Sequence, residues 1–480
     1  MLKFKFFPYC VLFFVLLINW LYAYWGFPVM TNDTQCFLPA AVNWKMSGQL
    51  VNQFYDAGLG NDGKFLFYPP GYPFIMSMFV FTNTVSGIYS SIFLVNMIFV
   101  VSLFFYAKTI FQNVPDKTRM DQIFLSVWIL IIASFAVPGY TRPELLVKAL
   151  FSVLILLTTR KNIITLLATG IITSAIGMTS PVAGIYMIPL SALIVLQNKY
   201  SKKELVILGF GVIIGIILFV CFYPFQWAEL FWDMSTHAQN VVFERSEERS
   251  WSNFWFYHLL NPNNAMGLLL AFVSLFSLPF FIGRLKAYTL KVIFIISFIL
   301  LLLLSIYFSF KAIPMAYYLY VLSPFMIASL LHLYFHLKNR TIKIILTAFC
   351  LLFCIGFFRN LLIVLPDTFN SKKSTISITQ QMIKKYVPEN ESMIAISNGL
   401  WPYFTNRTRG EVELFDAHRL SSYNMIILQQ YGSGLIQPPS LPGFEIIMEN
   451  FSQKPVSFAG LKLASQSPFH QLAIYRKNAQ

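Results

Sequence analysis

The chain has 480 residues, of which 57% are hydrophobic and 11% charged, and its formal net charge is +15. Soluble domains carry about 25% charged residues, so this composition excludes an ordinary water-soluble globule. The basic balance invites a nucleic-acid reading, but the placement of the cations argues instead for a protein oriented in a membrane.

In chain order, hydropathy predicts eleven membrane helices, over 6–27, 85–107, 123–137, 145–158, 163–178, 182–196, 205–223, 265–282, 292–310, 315–336 and 342–363. Runs such as 205–223 and 292–308 carry almost no charge and are long enough to cross about 30 Å of hydrocarbon. With the N-terminus cytoplasmic, the cytoplasmic segments hold 16 basic residues. The opposite short loops and helix ends hold 7, namely Lys45, Lys64, Arg142, Lys148, Arg245, Arg249 and Lys311. Of the remaining 12 of the 35, Arg359 lies within the last helix and 11 follow it, where the positive-inside rule has little force. This asymmetry suits a multi-pass protein of the plasma (inner) membrane, with basic loops touching anionic lipid and no nucleic-acid partner. The first helix has the basic start of a signal peptide. It is nevertheless too long for a typical apolar core and lacks a small-x-small cleavage pattern, so it is expected to be retained. Five cysteines suggest neither a disulfide framework nor a metal spacing.

The first outer loop, 30–84, contains a stretch at 37–50 with apolar residues at helical spacing, expected as a short helix on the membrane surface. Tyr68-Pro69-Pro70-Gly71-Tyr72-Pro73 then interrupts regular structure. The apolar run 74–81 is too short to span and reads as an interfacial or re-entrant element. The third and fourth helices occupy only 36 residues, 123–158, where two full spans need about 40. Their turn, 139–144, is therefore expected to dip below the outer surface. Irregular backbone at that depth must be covered by protein or line a watery cavity. The fifth and sixth helices repeat this pattern at Thr179-Ser180-Pro181, so a cavity opening outward is expected. The second outer loop, 224–264, is aromatic-rich and holds Asp233, His237, Glu244 and Arg245.

The fold class expected is thus an all-α polytopic membrane domain, residues 1–364, followed by a small extracytoplasmic α/β domain, residues 365–480. In that tail 375–386 reads as an amphipathic helix, and 392–397 and 425–428 as strands.

Asp33 lies a few residues beyond the first helix, beside the hydrocarbon boundary. Partial desolvation raises the basicity of a carboxylate there, which suits a general base. Asn32, Asp33 and Thr34 are equally good helix N-caps, and both readings stand. Arg142 is either a phosphate ligand or the partner of Glu144 in an ion pair closing the dipped turn. Lys311 is either a second phosphate ligand or an interface anchor. Tyr68 either belongs to a rigid break or points into the cavity. His237 is either a polar loop residue or a metal ligand. Asp62 is one of the acidic residues of the first loop that can line the cavity, as is Glu144 at the turn. There is no Gly-rich phosphate loop, nucleotide fingerprint or HExxH. An outer active site fits that pattern, because its energy must arrive attached to a membrane lipid.

The order of Asn32-Asp33-Thr34, Leu38-Pro39-Ala40-Ala41 to Gly48, Tyr68-Pro69-Pro70-Gly71-Tyr72-Pro73 and Thr141-Arg142-Pro143-Glu144 resembles the GT-C superfamily of polyprenol-dependent glycosyltransferases. That superfamily includes protein O-mannosyltransferases and lipid A aminoarabinose transferases. A weaker match is Tyr317 to Pro324 in the tenth expected helix. The resemblance implies a polyprenyl-phosphate sugar donor and transfer to a lipid, glycan or protein hydroxyl with inversion. It places the catalytic carboxylate on Asp33 and allows a divalent metal without naming its ligands. Many protein O-mannosyltransferases have Asp-Glu where this chain has Asp33-Thr34, which argues against a protein acceptor of that kind. The competing expectations are a flippase for lipid-linked sugars and a glycan polymerase or ligase. The first would show inverted repeats and polar groups deep in its helices. The second would show more cations in 224–264 than Arg245 and Arg249.

Overall fold

The computed structural model describes residues 6–26, 34–55, 63–114, 117–136, 142–222, 227–244, 279, 282–283, 285–311, 321–370, 375–407, 410–429, 438–450, 456–458, 461–464 and 472–478. The described residues are mostly helical, at 72%. Helices α1 (Phe7–Trp25), α2 (Thr34–Ser47), α3 (Gly71–Ser77), α4 (Val85–Gln112), α5 (Arg119–Ala136), α6 (Pro143–Leu157) and α7 (Ile163–Thr179) come first. They are followed by α8 (Pro181–Asn198), α9 (Lys202–Phe222), α10 (Trp227–Glu244), α11 (Tyr288–Lys311) and α12 (Ser323–His336). Next, α13 (Arg340–Cys350) runs through a 3-10 turn, Leu351–Cys354, into α14 (Ile355–Asn370).

Among the described residues, seven helices are long and apolar enough to cross a membrane: α1, α4, α5, α8, α9, α11 and the α13–α14 run. Of the other expected spans, 265–282 lies outside the described residues except at positions 279 and 282. The segment 315–336 is described from position 321, within which α12 has 14 residues. The remaining two are present but short, with 15 residues in α6 and 17 in α7, against about 20 for a full span. Burial accounts for α6. It is enclosed on nearly every side, with Leu146, Val147, Phe151 and Leu154 at most 1% exposed, and a helix apolar all round belongs inside a bundle. In contrast, α9 and α11 present Ile213, Ile217, Ile296 and Leu303 outward, as lipid-facing helices do.

Helices α7 and α9 approach closely because glycines lie between them. A Cβ at Gly170 would collide with the Leu208 carbonyl, and one at Gly211 with the Leu167 carbonyl. Small residues let helix backbones meet where no hydrophobic force separates protein from lipid.

The tail forms helix α15 (Thr375–Tyr386) and strands β1 (Ile394–Ile396), β2 (Val412–Leu414), β3 (Met425–Gln429), β4 (Phe444–Asn450), β5 (Val456–Phe458), β6 (Leu461–Ala464) and β7 (Leu472–Lys477). Five strands make one sheet in the order β2-β1-β3-β7-β4, parallel through β3 and antiparallel beyond it. Strands β5 and β6 pair separately.

This tail rests on one end of the helical bundle. Trp401 is fully buried against Phe54, with ring centroids 6.1 Å apart. The Asn83 amide donates to the Asn406 side chain at 2.7 Å. Ile376 lies against Gly26, where α1 ends. The opposite end is fastened differently: Lys343 pairs with Asp121 at 3.1 Å, and the Tyr106 hydroxyl meets His332 Nε2 at 2.6 Å.

Candidate functional site

The site is assembled at the end of the bundle that bears the tail. Helix α2 begins at Thr34, the residue after Asp33 in the sequence. Its first half is buried in protein, with Thr34, Leu38, Ala40 and Ala41 at 0% exposure; Lys45 and Met46, near its far end, are exposed. Asn52 ties the returning loop to that beginning, because its side-chain amide donates to the Gln35 and Cys36 carbonyls at 2.7 and 2.9 Å. The backbone of the loop closes on itself where Val51 bridges Lys64.

Phe37 of α2 is the hub of an aromatic cluster. Its ring lies 5.0 Å from Tyr68, 5.7 Å from Phe67, 6.0 Å from Tyr72 and 6.3 Å from Phe65. The Arg142 guanidinium sits over the same ring, 5.5 Å from its centre, a cation–π arrangement. The Tyr68–Pro73 break is held by a second contact: the Tyr68 hydroxyl donates to Ser180 Oγ at 3.2 Å. Ser180 is itself the N-cap of α8, ahead of Pro181, a favourable helix start. Gly71 fits there because only a hydrogen can face the Met178 carbonyl; a Cβ would collide with it. The first loop is thereby pinned to the starts of α6 and α8 together.

Arg142 is the N-cap residue of α6 and its Nε bonds Glu144 Oε2 at 3.2 Å, an ion pair that leaves the guanidinium's other nitrogens to other contacts. Both groups are inside the protein, with side-chain exposures of 14% and 5%. The other carboxylate oxygen, Glu144 Oε1, is buried and accepts no hydrogen bond among the described residues. One helical turn further, Lys148 is also buried. Its ammonium donates to the Phe135 carbonyl near the end of α5 at 2.8 Å and lies 5.5 Å from the Phe99 ring. Burial pushes the Tyr72 hydroxyl well above the usual tyrosine range, and the Glu144 charge adds to that.

Two cations thus stand against one carboxylate in a setting with little water. Charges are strong at low dielectric. Basic side chains beside an acceptor oxygen that has no donor among the described residues suit a ligand carrying both an anion and a hydroxyl.

Of the residues singled out in the sequence, the structure brings together Tyr68, Arg142 and Glu144. Asp33 and Asp62 lie outside the described residues. Lys311 is the last residue of α11, and its side chain is likewise outside the description. His237 belongs to α10, with its ring 5.2 Å from Phe67, so α10 packs on the first loop. Lys64 pairs there with Glu229 at 3.2 Å.

Lys148 was grouped above with the loop and helix-end cations. It belongs instead to the interior of α6, and its signal is visible in retrospect as a lone cation four residues after Glu144 in an apolar run. Phe37 gave no signal beyond hydrophobicity. Among the described residues no group of three or more histidine, cysteine, aspartate or glutamate side chains is placed to hold a metal. No family model matches the chain, and no curated protein sequence gives a significant match.

Proposed function

We propose that the protein is a membrane glycosyltransferase that moves a sugar from a polyprenyl-phosphate donor to a hydroxyl of a lipid, glycan or protein acceptor. The observation that supports this most is the trio of Arg142, half-buried, with the buried Glu144 and Lys148 beside the first loop. A donor phosphate suits the basic side chains of Arg142 and Lys148, and a sugar hydroxyl can donate to Glu144 Oε1, which accepts no hydrogen bond among the described residues.

In the reaction envisaged, Asp33 removes the proton from the acceptor hydroxyl, whose oxygen attacks the anomeric carbon from the face opposite the phosphate. The bond to the phosphate oxygen breaks and the configuration inverts. Phosphate leaves without a strong general acid; cations that stabilise its growing charge lower the barrier instead. Arg142 and Lys311 are assigned that role, with Tyr68 and Asp62 lining the acceptor side and His237 behind them. On this reading the site end is extracytoplasmic, the membrane is the plasma membrane and the N-terminus is cytoplasmic. A divalent metal remains compatible with the chemistry.

Replacing Asp33 with Asn tests the assignment. Membrane vesicles carrying the variant are expected to hold normal amounts of folded protein while forming no glycosylated product from labelled donor. Undiminished product would remove Asp33 from the mechanism.

A transport reading draws on one specific observation, the ionisable side chains of Lys148 and Glu144 within a buried helix, where transporters place such groups. It requires movement of intact lipid-linked sugar between leaflets, with no new glycosidic bond.

A further inference from the structure

The function proposed above draws on α10, in the loop after α9, only through His237. Its described side chains sort into two arcs around the helix. Ala228, Phe231, Trp232 and Ser235 are exposed and contiguous on a 100°-per-residue wheel, spanning about a third of the circumference. Phe231 is 64% and Trp232 74% exposed, and no charge lies between them. The rest of the wheel faces the protein: Leu230 is 2% exposed, Met234 packs on the core, His237 meets Phe67 and Glu229 meets Lys64.

An uncharged strip with two large aromatic side chains is costly in water. Monomeric proteins rarely leave such patches without a partner. Only residues 223–226 separate α10 from α9, whose last turns expose Ile217, Leu218 and Val220. The exposed strip of α10 therefore begins where the lipid-facing surface of α9 ends.

From this geometry we infer that α10 lies on the bilayer, with Phe231 and Trp232 seated at the boundary between headgroups and acyl chains. Tryptophan favours that depth, because its ring is apolar and its N–H seeks water or headgroup oxygens. The helix then joins two surfaces. One side is anchored in lipid; the other holds Lys64 and Phe67 of the first loop. The bilayer surface thereby fixes the height of the loop that carries the aromatic cluster. This inference does not depend on glycosyl transfer and holds equally for a transporter.

Tryptophan quenching in reconstituted vesicles is the test, comparing full-length wild type with Trp232→Phe. The readings are quenching by dibrominated phosphatidylcholine in the membrane and by iodide in the water. The Trp232 contribution, taken as the difference between the two proteins, is expected to be quenched strongly by the brominated lipid and weakly by iodide. The reverse pattern, iodide quenching without lipid quenching, would overturn the inference. So would an unchanged lipid-quenched fraction in Trp232→Phe. Phe231→Asp supplies an independent reading: a charge at the seat is expected to shift Trp232 toward iodide, and unaltered quenching would place the strip away from lipid.

Discussion

Arg142 and Glu144 are two residues apart at the start of α6, so their pairing was one of the two readings of Arg142 open before any coordinates. What Lys148 does was not legible, because its partner is the Phe135 carbonyl of another helix, and no local pattern announces that carbonyl. Removing one member of a buried pair strands the other, at a cost of about 3–5 kcal/mol. Arg142→Ala is therefore expected to lower both thermal stability and activity. In Arg142→Ala/Glu144→Gln the stranded charge is gone, so stability should return largely while activity stays lost, if Arg142 binds the donor phosphate. Thermal unfolding in detergent beside a product assay separates the two; full recovery of activity would reduce Arg142 to a structural role. Lys148→Met removes the ammonium's hydrogen bond to the Phe135 carbonyl and is expected to cost about 1–3 kcal/mol in the same unfolding assay.

At the scale of elements, legibility followed periodicity. The helix at 375–386 and the strands near 394 and 425 were readable because each is a regular apolar pattern of its own. Strands β4 to β7 were not, since β4 and β7 form only by pairing with each other and with β3 across a long stretch of sequence. Helix α10 was hidden by its mixed composition, apolar on two sides for two different reasons. The helix expected on the membrane surface at 37–50 does form, as α2, but Phe37, Leu38 and Val42 turn into the protein. Periodicity reports that a face is apolar and is silent about what covers it.

Two substitutions probe contacts between elements. Gly211→Leu drives a side chain into the Leu167 carbonyl and is expected to part α7 from α9, with loss of folded protein in detergent extracts. Normal yield and unfolding temperature would contradict the close approach. Trp401→Ala empties the socket against Phe54, a change that costs about 3–5 kcal/mol in a packed core. It is expected to speed tryptic release of the tail while the helical bundle stays intact; unchanged release would mean that Asn83 and Ile376 suffice.

Taken whole, the molecule is a helical membrane protein whose tail, first loop and α10 gather at one end. Composition made the membrane character plain, because 11% charged residues cannot dress a soluble surface of this size. The number of spans was harder to read. Helices α6 and α7 are apolar but short, and burial among other helices gives sequence the same hydropathy as burial in lipid. The gathering of the tail at the site end was not legible at all, since it rests on single contacts such as Trp401 with Phe54.

The most direct measurement is mass spectrometry of lipids after purified protein, reconstituted in vesicles, is given a panel of polyprenyl-phosphate sugars and candidate acceptors. A glycosyltransferase releases free polyprenyl phosphate and a glycosylated acceptor in equal amounts, and Asp33→Asn and Arg142→Ala each suppress both. Recovery of every donor intact, with labelled sugar lipid merely redistributed between the two leaflets, would contradict the transfer reaction.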